Sequence, residues 1–415
     1  MNMWNRSLPT ILFTHYGDNW IRGSERCLLD LMNNINRKKY NIVLWCNSEI
    51  LSEAATKLKI DVILTNFSVL FSSECSMPLP DYTRIIQIGN HLVEKYKVNI
   101  IHSNSGAPNI WLNPISRYQR LPLIVHLHAH YSLRDRVTLG LHHVPMTVGV
   151  SPAVLAEFHQ DGSSPQQLRI IPNGLDVQEL NKQPTCDLRN TLGLNDQTIL
   201  ISTTGSLIHR KGIDIAISSV VNLHKQGLPV HLVIFGEGPQ RITLQRQIHA
   251  ACAQKYIHLY GESEEIVGLL KSGVDIFIST ARKEAFGLAI AEASLSGIPV
   301  IAPRSGEFPN IIIEGKTGLL FDPKDPSTLE TEIRKIISDK KIAMLMGENG
   351  KKHVEQNYGL SNYIAQFEEL YDSMLKDKNM RMNWLSHWKI VAIIKLSIRR
   401  IFKLRKAIDV NGLTQ

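Results

Sequence analysis

Short runs of β-branched and other apolar residues alternate with longer stretches whose apolar positions recur at helical spacing, from near residue 10 to about residue 376. In the first half these runs predict strands at 10–15, 41–46, 61–64, 99–103, 123–128 and 146–150. Helical patterns fall between several of them, as at 25–34 and 82–96. The second half repeats the alternation, with strands at 198–203, 230–235, 257–260, 274–279 and 298–302. Helices are expected there near 212–225, 239–252, 264–271 and 287–296. Strands that are apolar throughout and separated by helices imply parallel sheets covered on both faces. The polar stretch 181–187, NKQPTCD, is the natural linker. The expected fold class is therefore α/β, with two Rossmann-like domains, 1–180 and 181–360, facing a central cleft. A helix over 361–376 closes the fold, and 377–415 is a C-terminal tail.

The tail has its own pattern. At 100° per residue Trp384, Ile390, Val391, Ile394, Ile398, Ile401 and Phe402 fall on one side. Lys389, Lys395, Arg399, Arg400, Lys403 and Lys406 fall on the other, with Arg405 the exception. A basic amphipathic helix of this kind lies in a membrane interface rather than across it. Packing on the protein's own body is the other use of such an apolar stripe.

Charge changes the picture by its location. The chain of 415 residues carries a net charge of +8, and residues 379–408 hold eight basic side chains and no acid. The rest is therefore balanced, with no basic surface to mark a nucleic-acid partner. No apolar run approaches the roughly 18 residues of a spanning helix. Pro9 precedes only a short apolar run with no small-residue cleavage site, so no signal peptide is expected. Five scattered cysteines without a Cys-x-x-Cys fit reduced thiols rather than disulfides or zinc. The expected location is the cytoplasm, peripheral on the inner face of the cell membrane.

Ligands of parallel α/β sheets bind at the carboxyl ends of the strands, so candidate chemistry is sought there. After the first strand comes His15-Tyr-Gly-Asp-Asn-Trp-Ile-Arg-Gly23-Ser-Glu25 and then a helix. Gly23, just before that helix, would let backbone approach an anion. The fifth strand ends in His126-Leu-His128-Ala-His130, whose alternate residues share a face. That leaves a three-imidazole metal site or a single hydrogen-bonding histidine. No acid follows until Asp135, which favours the second, with His128 first and His126 next.

In the second half Arg210 and Lys211 stand together before a helix, a fork and a point charge suited to phosphate. Phe235-Gly236-Glu-Gly238-Pro lacks the third glycine of a dinucleotide fingerprint, which argues against a nicotinamide cofactor. The richest stretch runs from Asp275 to Val300. Glu284 is placed in the loop before a helix and Glu292 within that helix, about one and a half turns further on. Between them the amides of Phe286, Gly287 and Leu288 are first-turn donors. Two carboxylates suit sugar hydroxyls, and free amides suit phosphate oxygens.

At this point the chain resembles the retaining nucleotide-sugar glycosyltransferases of the GT-B fold, in the group 1 (family 4) class. The resemblance rests on the Glu284-x7-Glu292 signature, Gly297-Ile-Pro299-Val300, Ser305-Gly306-Glu-Phe-Pro309 and Gly315-Lys-Thr-Gly318. Upstream, Arg169-Ile-Ile-Pro172-Asn173-Gly174 and Arg210-Lys211-Gly212 extend it, over roughly 10–376. It implies that Glu284 contacts the transferred sugar, Glu292 the ribose, and Arg210 and Lys211 the diphosphate. Gly23 would approach the same phosphates, and His128 would stand near the reacting centre. Two departures stand out: Asn310 where the family usually has an acid, and Gly205-Ser206-Leu207 where Gly-Arg-Leu is common.

The expected function is transfer of a sugar from a nucleoside-diphosphate sugar to a saccharide acceptor, lipid-linked in surface polysaccharide or glycolipid synthesis. No cofactor and no metal are expected, because the chain contains no Asp-x-Asp to hold one. The expected partners are the nucleotide sugar, the saccharide acceptor and, through the tail, an anionic membrane surface. A nucleotide-sugar 2-epimerase of the same fold and an inactive, glycosyltransferase-like assembly partner are the rival readings.

Overall fold

The computed structural model describes residue 5, residues 7–67 and residues 79–386. The chain divides into two compact units, one of residues 1–172 with 364–415 and one of residues 173–363. The first unit contains strands β1 (Thr10–His15), β2 (Asn41–Cys46), β3 (Asp61–Leu64), β4 (Val98–Ser103), β5 (Leu123–Leu127), β6 (Met146–Gly149) and β7 (Leu168–Ile170). They form one parallel sheet in the order β3-β2-β1-β4-β5-β6-β7. Every residue of β1 and β5 is buried, as their unbroken apolar runs demand, whereas the edge strand β3 is partly exposed.

The second unit contains β8 (Ile199–Thr204), β9 (Val230–Phe235), β10 (Ile257–Gly261), β11 (Ile276–Ile278), β12 (Val300–Pro303) and β13 (Leu319–Phe321). These pair in parallel in the order β10-β9-β8-β11-β12-β13. A core of aliphatic side chains, among them Ile201, Ile217, Val220, Leu232, Ile276 and Ile333, fills the space between this sheet and its helices. In each sheet the strand order reverses beside the first strand, between β1 and β4 and between β8 and β11. Loops diverge there and leave room for a ligand.

The α/β class and two parallel sheets are those expected, and the strands lie within two residues of their predicted positions. β7 and β13, each of three residues, lie outside the predicted set. The helix Asn109–Gln119 escapes prediction because Pro114 interrupts a pattern through which the helix nonetheless runs.

The boundaries differ from those read in the sequence. The first break falls after Pro172, not at 180. Residues 181–187 are no free linker: the Gln183 side chain accepts from the amides of Val267 (2.9 Å) and Gly268 (3.2 Å). Its polar groups serve the first turn of the helix Ile266–Lys271 instead of solvent. The second unit extends to Tyr363, inside the helix Leu360–Lys376, whose later residues Phe367, Leu370, Tyr371 and Met374 are buried. The body also continues past 377, for Met382 is wholly buried and Arg117 donates to the carbonyls of Asn383 (2.6 Å) and Ser386 (2.7 Å). The rest of the expected amphipathic tail lies outside the described residues. Among the described residues no helix is long and apolar enough to cross a membrane.

Candidate functional site

In the first unit the reversal of strand order brings together the ends of β1, β4 and β5. His15 closes β1 and is buried with Glu25, its Nε2 3.0 Å from the carboxylate. The helix Gly23–Asn34 carries Glu25 in its first turn, where the carboxylate also accepts from the amide of Arg22 (3.0 Å). Burial alone would raise the Glu25 carboxyl, but the hydrogen bond and charge of His15 and the backbone amides hold it down at about 2. Asn104, just beyond β4, is wholly buried. His15 Nδ1 lies 3.2 Å from its carbonyl oxygen, and its side-chain Oδ1 lies 3.0 Å from His128 Nε2.

Of the three histidines predicted to share a face, His126 and His128 do meet, with ring centroids 4.0 Å apart. His126 is wholly buried against His102 and Phe367, so it packs the interior and offers no surface to a ligand. Burial and the neighbouring imidazoles push His102 down to about 3 and hold His126 well below its ordinary value. His128 is also held at about 3, by burial and then by the charge of His15, with Glu25 opposing. Among the described residues no group of three or more His, Cys, Asp or Glu is placed to hold a metal ion.

Gly23 is the first residue of its helix. Gly17, earlier in this loop, is closely approached too: an added Cβ would stand 2.7 Å from His15 Nε2. His15, Glu25 and Asn104 carry this cluster, yet nothing in their local sequence marks them. Their signal is the strand order, which sets the ends of β1 and β4 side by side.

In the second unit Lys211 Nζ donates to Glu284 Oε2 at 2.5 Å. Arg210 approaches the other carboxylate oxygen at 3.6 Å and donates to the Lys283 carbonyl at 2.9 Å. A short 3-10 turn, His209–Lys211, presents both cations, and Gly212 ends it in the left-handed region at φ +65°. No other residue fits there, since a Cβ on Gly212 would sit 2.0 Å from the Thr280 carbonyl. Burial raises the Glu284 carboxyl, but Lys211, Arg210 and the Ala285 amide together lower it. Arg282 is matched by Asp214 through contacts of 2.8 and 2.6 Å. The Glu284 cluster thus holds two cations against one carboxylate.

Gly287, at φ +104°, caps the helix Leu288–Leu295, in which Ile290 is the first amide to donate back, to the Gly287 carbonyl at 3.0 Å, so the amides of Leu288 and Ala289 precede the ladder. The Phe286 ring is buried edge-on to Tyr358, so only its backbone is available to a ligand. Glu292 is half-buried within the helix. Asn310, where the family usually has an acid, donates to the buried Glu307 at 3.0 Å.

Known proteins share the family and the fold. The family model described as Glycosyl transferases group 1 matches residues 186–353, and that described as Glycosyltransferase Family 4 matches 21–179. Together they span most of the chain, which belongs to the group 1 glycosyltransferases of the GT-B fold. Among curated relatives, the N-acetyl-alpha-D-glucosaminyl L-malate synthase of Bacillus anthracis is 19% identical over 69% of this chain and 77% of its own length. The GDP-mannose-dependent alpha-(1-6)-phosphatidylinositol monomannoside mannosyltransferase of Mycolicibacterium smegmatis is 25% identical over 67% and 78%. Among solved structures, Anabaena HepE in complex with UDP-glucose superposes with a TM-score of 0.75 at 22% identity, covering 88% of this chain and 99% of that one. The chain is thus a glycosyltransferase, and the fold is the one its sequence resembles.

Proposed function

We propose that this glycosyltransferase takes its sugar from a nucleoside-diphosphate sugar and transfers it with retention to a saccharide acceptor, through the groups around Glu284. The observation that carries this reading is the Lys211–Glu284–Arg210 cluster beside the first turn of the helix Leu288–Leu295. A leaving diphosphate gains negative charge as the glycosidic bond breaks. Fixed cations and a helix N-terminus stabilise that charge without reorganising. Arg210 and Lys211 hold the phosphates with the amides of Gly287 and Leu288, Glu284 grips the sugar hydroxyls, and Glu292 grips the ribose. His128 stands near the reacting carbon.

In the transfer step the bond from the anomeric carbon to the diphosphate oxygen breaks and its electron pair leaves with the diphosphate. The acceptor oxygen bonds the same face of that carbon and gives its proton to the departing phosphate. No metal takes part, because the cation pair does its work. The UDP-glucose bound by HepE and the lipid acceptor in the name of the mycobacterial relative support this choice of substrates. A lipid-linked acceptor suits a basic tail at the inner membrane face.

The test incubates the protein with UDP-, GDP- and ADP-sugars and membrane extract, with and without EDTA, and measures released nucleoside diphosphate. Release that depends on the extract and survives EDTA is expected. Loss of activity in EDTA with recovery in Mg²⁺ overturns the metal-free reading. Conversion of the sugar nucleotide without any acceptor points to a 2-epimerase instead.

A further inference from the structure

The first-unit cluster holds a constraint that the transfer reaction does not itself require. The carbonyl oxygen of Ser24 can only accept a hydrogen bond, and Asn104 Nδ2 lies 3.3 Å from it. That contact orients the amide: Nδ2 faces Ser24, and Oδ1 faces His128 Nε2 at 3.0 Å. Nδ2 also lies 3.2 Å from His15 Nδ1, a contact that allows the same orientation. Oδ1 can only accept, so the hydrogen between it and His128 sits on Nε2. A neutral imidazole has one N–H, which leaves a bare lone pair on Nδ1. That Nδ1 is buried and has no hydrogen-bond partner among the described residues.

We propose that Asn104 is a positioning residue that holds His128 as its Nε2–H tautomer, so that Nδ1 serves as an acceptor for a substrate hydroxyl. The Asn104 amide is itself fixed from behind. Its backbone N–H donates to the Thr14 carbonyl at 2.8 Å, and His15 beside it is held by Glu25. Asparagine suits the place because one planar group must donate to Ser24 and accept from His128. Aspartate cannot donate there, and an aliphatic residue can do neither. Burial keeps the His128 ring neutral at working pH, so its tautomer rather than its charge decides which nitrogen accepts. The use of Nδ1 by substrate rests on the placement of His128 proposed above, whereas the tautomer does not.

Two measurements keep these apart. Long-range 1H–15N correlation on deuterated protein with 15N-labelled histidine reads the ring nitrogens directly, and His128→Gln assigns the signal. In the wild-type chain the expected result at neutral pH is a protonated Nε2 and a bare Nδ1. A protonated Nδ1, or averaged nitrogens, overturns the proposal without any variant. Asn104→Ala should average the two nitrogens and lower kcat about tenfold, with little change in KM for the donor. Asn104→Asp, which keeps an acceptor toward Nε2, should retain the tautomer. An unchanged tautomer in Asn104→Ala overturns the role of Asn104. A changed tautomer with unchanged kcat upholds that role and overturns the placement of His128 at the reacting centre.

Discussion

The two strand-end clusters solve different electrostatic problems. In the first unit, His15, Glu25, Asn104 and His128 hydrogen-bond one another and nearby backbone, all but the half-buried His128 are buried, and His128 is held neutral. In the second, Glu284 is flanked by Lys211 and Arg210, and Arg210 is 46% exposed. A buried network of mostly neutral groups offers few, fixed hydrogen-bonding directions and tolerates little change. An exposed surplus of positive charge attracts an anion and tolerates variation in its shape. The difference accords with the phosphate site proposed for the second unit, while the first holds a few ring and amide groups in set orientations.

The comparison breaks most sharply at Glu284. Glu284→Gln keeps the size of the side chain but removes the charge that Lys211 and Arg210 face, and turnover should fall about 100-fold or more. Circular dichroism should show an unchanged fold; wild-type turnover in this variant would remove Glu284 from the site.

Acid should separate the two units next. His102, His126 and His128 of the first unit have folded pKa values far below the ordinary 6.5. The unfolded chain therefore binds more protons below that value, and stability falls as pH drops from 6.5 toward 3. The loss is on the order of 1.4 kcal/mol per pH unit for each fully buried imidazole. Glu25 adds its loss only lower, as pH falls below its unfolded value of 4.5 toward 2. In the second unit His231 is lowered less, to about 4. Among the described residues the tryptophans, Trp20, Trp45, Trp111 and Trp384, lie in the first unit, so their fluorescence reports it while far-ultraviolet circular dichroism reports both. Between about pH 7 and pH 5 the urea midpoint by fluorescence should fall further than that of the remaining ellipticity. Equal shifts by the two probes would remove the contrast.

Lys211→Ala sharpens the charge side of the comparison. A charge-assisted bond to phosphate contributes about 1.5–3 kcal/mol, so nucleoside diphosphate binding should weaken roughly 10- to 100-fold by calorimetry. Unaltered affinity would reassign the phosphates to other groups.

The smallest effect is expected outside both clusters. Each basic residue near an anionic leaflet contributes about 1 kcal/mol at best. The full chain should float with anionic vesicles at low salt, and a chain ending at Ser386 should not. Truncation at Asp377 is a poorer choice, because it removes the buried Met382 and the carbonyls that Arg117 holds. Equal flotation of the full and shortened chains would dissociate the tail from the membrane.

How much was legible differs between the two clusters for a physical reason. Glu284, Phe286, Gly287, Leu288 and Glu292 are neighbours along one loop and helix, so they can be read together as candidates from spacing and the flanking motif. Arg210 and Lys211 are adjacent residues before a helix, and their pairing with Glu284 follows once β8 and β11 lie side by side. His15, Glu25, Asn104 and His128 come from three strand ends and a helix, separated by tens of residues. His128 stands out locally only as one of three alternating histidines, and His15, Glu25 and Asn104 read locally as ordinary polar residues.

The sequence by itself determined the alternation of buried strands and amphipathic helices, because burial on both faces requires unbroken apolar runs. It made the second unit's charged stretch legible as a candidate too, because those residues lie within one turn or two of each other. Only the tertiary structure decided which strands stand together, that 181–187 serves a helix rather than linking domains, and that His126 is interior while His128 meets Asn104. These outcomes depend on distances between residues far apart in the chain. Strand order sets those distances, and no local pattern of apolar and polar positions encodes it.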